Sequence, residues 1–95
     1  MRLITIDFEV FGHVQGVFFR KFTRQTAQKY SIVGWCKNTN HGTVSGQAQG
    51  QEDNVNKMKQ WLQHEGSPHS KIDKAEFRNE KEITKLEFDK FSVDH

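Results

Sequence analysis

Cysteine is almost absent from this chain of 95 residues, and the one present, Cys36, has no partner for an internal disulfide. A single thiol fits a reducing intracellular compartment, so we expect a cytoplasmic protein. No CxxC motif or lysine-rich context surrounds it. We therefore expect Cys36 to be a small, half-buried side chain rather than a redox or nucleophilic group.

Long apolar runs are also missing. The opening stretch MRLITIDFEV is interrupted by Thr5, Asp7 and Glu9, unlike the continuous apolar segment of a signal peptide. No other stretch approaches the ~18 apolar residues that a membrane span needs. We expect no membrane partner.

A large excess of charge of either sign is the third absence. The formal net charge is +2, from 14 basic and 12 acidic residues, which is too small to indicate a nucleic-acid or membrane partner but sufficient for a small anion. Hydrophobic residues make up only 34%, yet eight Phe and two Trp predict an aromatic-rich core. The length suits one domain over residues 1–95, which we expect to be a monomer.

Periodicity in the first half predicts a strand, a helix and a hairpin. From Ile4 to Val10 apolar and polar residues alternate, which predicts a strand ending near Phe11. A helix beginning near Arg20 is predicted by residues at helical spacing, namely Phe19, Phe22, Thr26 and Tyr30. The runs IVGWCKN and GTVSGQAQ predict a hairpin whose turn, TNHG, uses its Asn and Gly for positive φ angles.

The second half predicts a helix and one or two strands. The stretch QEDNVNKMKQWLQH begins with acidic residues and ends before Gly66 and Pro68. One face of this helix carries Val55, Met58, Trp61 and Leu62. KIDKAEFRNEKEI predicts a strand, and FSVDH leaves open a short fifth one at an edge. The order predicts an α+β, ferredoxin-like (βαββαβ) fold: an antiparallel sheet with two helices on one face.

The stretch GHVQGVFFR joins the first strand to the first helix, and Gly12 and Gly16 permit φ angles that other residues resist. N–H groups of such a loop, beside a helix N-terminus, form a concave site for a tetrahedral anion. Arg20 can then hold two oxygens of that anion. The stretch lacks the endings of the NTPase P-loop and the dinucleotide fingerprint. A glycine-rich turn with a surface arginine remains the alternative.

Two further groups of polar residues can carry chemistry. Asn38 precedes the predicted turn and is either a turn residue or an amide that orients a water molecule. The histidines show no zinc-ligand spacing, so we expect no metal site; they are His13, His41, His64, His69 and His95. His13 lies in the glycine stretch, which leaves open a covalent phosphohistidine route.

Together, GHVQGVFFR and GWCKNTNHGTVSG closely resemble the two signature segments of acylphosphatases, hydrolases of carboxyl–phosphate mixed anhydrides. The likeness extends over nearly the whole chain, including SKIDKAEFRNEK. It implies a ferredoxin-like fold with an extra edge strand and a cytosolic enzyme without metal or organic cofactor. The substrate would be a small acyl phosphate and one product inorganic phosphate.

The resemblance also implies roles for particular residues. Arg20 would bind the phosphoryl group and Asn38 would position the attacking water, as the two catalytic residues. The loop amides that would share phosphate binding with Arg20 belong to His13, Val14, Gln15, Gly16 and Val17. Cys36 stands where an aliphatic residue is usual and Asn40 where Asp is frequent, and we expect only packing and turn effects. The ending FSVDH lacks the basic and aromatic residues of several members.

Two other functions remain open from the sequence. One is a non-catalytic anion-binding module of the same fold, although such a module would need Arg20 and not Asn38. The other is a single-stranded RNA binder, since βαββαβ domains can expose aromatic residues on the sheet. The aromatic stretch here lies at a strand-to-helix loop instead of a central strand, which argues against it.

Overall fold

The computed structural model describes residues 2–94. Its elements are β1 (Leu3–His13), α1 (Phe19–Lys29), β2 (Val33–Asn38), β3 (Val44–Gln51), α2 (Glu52–His64), β4 (Lys71–Ile83) and β5 (Phe91–Asp94). The strands form one sheet in the order β4-β1-β3-β2-β5. This confirms the ferredoxin-like α+β fold and the short fifth strand at an edge.

The four strands of the βαββαβ core are antiparallel, as predicted, but the short fifth strand makes the sheet mixed. β1 pairs antiparallel with β3 and β4, and β2 pairs antiparallel with β3, but β5 runs parallel to β2. β4 and β5 occupy opposite edges, so residues 84–90 cross the sheet between them. Such a crossing, unlike a hairpin, can deliver a strand parallel to its neighbour.

A buried glutamine holds this crossing segment. Gln49 donates from Nε2 to Glu87 Oε1 at 2.6 Å, and its Oε1 accepts from the Glu87 N–H at 2.9 Å. Because side chains alternate along β3, Gln49 points away from the core residue Ala48. The crossing therefore covers the sheet face opposite the core.

The core lies between the sheet and both helices. β1 buries the four alternating residues that the sequence indicated, and α2 buries the four predicted on its inner face. The inner face of α1 differs from the prediction, since its buried residues are Phe19, Thr23 and Ala27, whereas Phe22 and Tyr30 are half-buried. Thr23 is tolerated there because its hydroxyl donates to the Phe19 carbonyl at 2.7 Å.

Two predictions about the connections between elements are corrected: where β1 ends, and which residues of the β2–β3 turn have positive φ angles. β1 continues past Phe11 to His13, and Gly12 has φ +130° within the strand, where a Cβ would lie 2.1 Å from the Lys71 carbonyl oxygen. Its main role is thus the close approach of β1 and β4. In the β2–β3 turn only Gly42 takes a positive φ, +83°, and the prediction of a positive φ for Asn40 is wrong.

Neither helix described in residues 2–94 is long and apolar enough to cross a membrane.

Candidate active site

The β1–α1 loop, residues 14–18, carries unpaired backbone donors. Gly16 has φ +75°, and Phe18, the residue before α1, has φ 60° and ψ 22°. Within the described chain, the N–H groups of residues 15 to 18 donate to no other backbone group, and the first helical bond runs from Phe22 N to the Phe18 carbonyl at 3.1 Å. These donors and those of the first helical turn can bind an anion.

A pocket of about 410 Å³ opens beside this loop. It is lined by Val14, Gly16, Phe18, Phe19, Arg20, Lys21, Arg24, Asn38 and Val93. The fold thus brings Arg20, from α1, and Asn38, from β2, to one site. His13 is exposed and Gln15 and Val17 are half-buried, and none of these three lines the pocket.

Arg20 is anchored by the last strand. Its Nη1 donates to the main-chain carbonyl of Asp94 at 2.7 Å. Because the acceptor is a main-chain carbonyl, this contact does not require the basic and aromatic side chains that the ending FSVDH lacks. The bond holds the guanidinium beside the pocket that it lines.

Asn38 lines the same pocket and carries a buried hydrogen-bond acceptor. Its Oδ1 is buried and has no hydrogen-bond partner among residues 2–94. Buried side-chain oxygens are nearly always hydrogen-bonded, so one without a protein donor at a pocket suits a water molecule or a ligand. An amide oxygen can accept a hydrogen bond from a water molecule without removing its proton.

Gln15 couples the loop to the segment that carries Asn38. Its Nε2 donates to the carbonyls of Thr39 at 3.0 Å and Thr43 at 2.9 Å, both in the β2–β3 turn. From the sequence we expected only the backbone amide of Gln15 to contribute to the site, and this side-chain contact was not predicted. A polar residue between Val14 and Val17 was the only signal for it.

A hydrogen-bond relay stiffens that turn from the other side. The Thr43 hydroxyl donates to Glu9 Oε2 at 2.7 Å, so its single proton is used, and the 2.6 Å contact between the two hydroxyls must have Thr39 as the donor. Arg78 Nη2 in turn donates to Glu9 Oε1 at 3.3 Å. The turn beside Asn38 is therefore tied to β1 and, through Arg78, to β4.

Cys36 belongs to the buried core. We expected a half-buried side chain, but the thiol is completely buried. Burial raises the pKa of Cys36 to about 12, although the positive charges of Arg20 and Arg24 oppose the shift. Across residues 2–94, no group of three or more His, Cys, Asp or Glu side chains is arranged to hold a metal ion.

Comparison with known proteins decides the family. The family model for Acylphosphatase matches residues 6–93. The chain belongs to the acylphosphatase family. Among relatives of this acylphosphatase-family chain, Acylphosphatase-2 of Gallus gallus is 59% identical over 96% of this chain and 88% of its own. Acylphosphatase-2 of Homo sapiens is 57% identical over 96% of this chain and 92% of its own. A solved acylphosphatase from Coxiella burnetii superposes with a TM-score of 0.84 at 34% identity. The match covers 98% of this chain and 94% of that one.

Proposed function

We propose that this acylphosphatase hydrolyses the carboxyl–phosphate bond of small acyl phosphates to a carboxylate and inorganic phosphate, by in-line attack of water on phosphorus. The observation that supports it most is the pocket lined by the β1–α1 loop, Arg20 and Asn38, whose Oδ1 has no hydrogen-bond partner among residues 2–94. The high identity to relatives named Acylphosphatase-2 supports the same reaction.

The β1–α1 loop and Arg20 bind the phosphoryl group in this proposal. The transition state of phosphoryl transfer is loose, with charge spread over the equatorial oxygens, so donors fixed around those oxygens stabilise it. The amides of residues 13–17 supply fixed dipoles, and the guanidinium of Arg20 contacts two oxygens at once. The bond from Arg20 to the Asp94 carbonyl keeps the guanidinium in place before substrate arrives.

The remaining chemistry needs only a positioned water. The leaving group is a carboxylate whose conjugate acid has a pKa near ~4, so it departs at neutral pH without a general acid. Asn38 Oδ1 accepts a hydrogen bond from the water and holds it in line with the breaking bond, and the water loses its proton to a phosphoryl oxygen. No covalent intermediate on His13 is required, because the loop acts through its amides.

We also propose a cytoplasmic monomer with one domain over residues 1–95, acting without metal or organic cofactor and without nucleic acid or membrane. The single buried thiol and the net charge of +2 support this proposal. RNA binding by stacking is disfavoured, because the large hydrophobic side chains exposed in the described chain, Phe18 and Leu86, lie outside the strands.

The first test is release of benzoate from benzoyl phosphate by the purified chain in the presence of a chelator. Asn38→Ala should lower kcat by roughly 10²-fold or more while inorganic phosphate still binds nearly normally, because only water positioning is lost. Arg20→Ala should weaken phosphate binding and turnover together, because the guanidinium contacts both ground and transition states.

Asn40→Ala is the matched control, because Asn40 is an exposed amide in the same turn. It should leave kcat unchanged. If Asn38→Ala lost phosphate affinity as severely as Arg20→Ala, the division of roles would be wrong. If the wild type bound phosphate without hydrolysing benzoyl phosphate, the protein would be a non-catalytic anion-binding module.

A further inference from the structure

A largely buried carboxylate lies outside the pocket and has no part in the mechanism proposed above. Glu9, on β1, follows the core residue Phe8, so its side chain lies on the sheet face opposite the core. That side chain is only 19% exposed. Carboxylates are seldom buried unless they are paired, and both oxygens of Glu9 accept hydrogen bonds, Oε1 from Arg78 at 3.3 Å and Oε2 from Thr43 at 2.7 Å. Of these partners, Thr43 belongs to the turn that follows Asn38.

The hydrogen bonds between the turn and Glu9 all run in one direction. Backbone N–H groups of His41 and Thr43 donate to Thr39 Oγ1, at 3.2 and 3.3 Å. The Thr39 hydroxyl donates to Thr43 Oγ1 at 2.6 Å, and the Thr43 hydroxyl donates to Glu9 Oε2. Because an ionised carboxylate can only accept, Glu9 sets this direction as the last acceptor of the relay. Successive bonds that point the same way polarise and strengthen one another.

Without that acceptor, the relay would lose its order. If the Thr43 proton turned back towards Thr39, the Thr39 proton would have to leave Thr43 Oγ1, the acceptor that it has in the relay. Thr43 is 4% exposed, and a buried hydroxyl group without a hydrogen-bond partner is destabilising. Loss of the Glu9 carboxylate should therefore loosen the turn.

Thr39 connects the relay to Asn38, which immediately precedes it. The Thr39 N–H bonds to the Thr43 carbonyl at 2.9 Å, so the relay and this backbone bond fix the same residue. Asn38 is the last residue of β2, where it is paired with Val44. Its conformation is thus limited by the sheet on one side and by the turn on the other. Glu9 itself does not line the pocket, so any effect of Glu9 on turnover passes through the relay.

We propose that Glu9 is a positioning residue for hydrolysis. As the last acceptor of the relay it orders the turn, and the ordered turn holds the Asn38 amide where it orients the attacking water. The inference rests on the proposed function, since Asn38 has to act on water for its orientation to matter. Glu9 should accordingly affect kcat and leave phosphate binding by Arg20 and the β1–α1 loop nearly unchanged.

The test measures kcat for benzoyl phosphate and the dissociation constant of inorganic phosphate in Glu9→Leu and Glu9→Gln. Leucine removes the acceptor, and kcat should fall roughly 10- to 100-fold, the size of effect that small misplacements of reacting groups produce. Phosphate affinity should change by less than about threefold, because the lost interaction concerns water and not phosphate. Glutamine restores an acceptor oxygen for Thr43 without the charge, so kcat should recover to within about threefold of the wild type.

Glu76→Leu is the matched control for the loss of a carboxylate on this face. Glu76 is the cross-strand neighbour of Glu9 and accepts from the same Arg78 guanidinium. Its ion pairs within residues 2–94 are with Lys74 and Arg78, outside the turn. The control should leave kcat unchanged. All turnover is measured well below the urea denaturation midpoint of each variant, so that a loss of stability does not appear as a loss of kcat.

A double-mutant cycle with Asn38→Ala separates positioning from a general loosening of the structure. If Glu9 acts through the Asn38 amide, Glu9→Leu should lower kcat by less than about twofold in the Asn38→Ala background, because no amide remains to be oriented. The same fall as in the wild-type background would show that Glu9 acts by another route.

An unchanged kcat in Glu9→Leu, an equal loss in Glu9→Gln or Glu76→Leu, or additive losses in the cycle would overturn the positioning role and leave the hydrolase intact. If Glu9→Leu does not fold, Thr43→Val interrupts the relay one bond earlier and carries the same predictions for kcat and phosphate affinity. Failure of the wild type to hydrolyse benzoyl phosphate would instead overturn the proposed function, and the positioning role with it.

Discussion

Replacing Gln15 by leucine tests whether the β1–α1 loop and Asn38 are held together by one side chain. The change keeps a similar side-chain volume and removes two hydrogen bonds, at 3.0 and 2.9 Å, to the carbonyls of Thr39 and Thr43. Neither carbonyl is left without a donor, because Gly42 N–H still bonds to Thr39 at 3.4 Å and Thr39 N–H to Thr43 at 2.9 Å. The cost is therefore the net value of two bonds, about 1–3 kcal/mol in total.

The catalytic effect should exceed what this loss of stability explains. Without the link, the loop and the β2–β3 turn can shift independently. If Asn38 positions the attacking water as proposed, a small misplacement should lower kcat by roughly 10- to 100-fold. Urea denaturation gives the free energy of unfolding, and benzoyl phosphate turnover, measured well below the denaturation midpoint, gives kcat. Gln28→Leu, at an exposed position of α1, is the control and should change both quantities little. An unchanged kcat in Gln15→Leu would refute the coupling, whatever happened to stability.

Three smaller predictions concern the frame around the site. Gly34→Ala should destabilise the protein by at least about 3 kcal/mol in urea denaturation, because φ is +139° and the added Cβ would lie 1.9 Å from the Gln47 carbonyl oxygen. Gly42→Ala should cost only about 1 kcal/mol in the same measurement, since φ is +83° but the space is open. Burial raises the pKa of Cys36 from 9.0 to about 12. As the pH rises, the thiol therefore loses its proton in the unfolded chain before it does so in the folded protein. The free energy of unfolding should fall by up to about 1.4 kcal/mol per pH unit above pH 9. Cys36→Val should abolish that component, and a wild-type pH profile identical to that of the variant would refute it.

The elements that the sequence predicted best are those whose pattern is local. The alternation in β1 and the apolar face of α2 follow from repeats of two and 3.6 residues, which a single segment displays in full. The face of α1 was less well predicted, because its centre is occupied by the small residues Thr23 and Ala27, whose burial depends on how closely the helix approaches the sheet. The parallel pairing of β5 likewise depends on the crossing segment that Gln49 holds.

In the candidate site, too, local features were predictable from the sequence and contacts between distant segments were not. The sequence by itself determined the glycine loop, the arginine at the start of a helix and the asparagine before a turn, because residue type and local backbone geometry limit each of them. Only the tertiary structure decided that Arg20 and Asn38 line one pocket, that Gln15 joins their two segments, and that Asp94 anchors the arginine. Those contacts join residues far apart in the chain, and a hydrogen bond between distant segments leaves no periodic trace in either one.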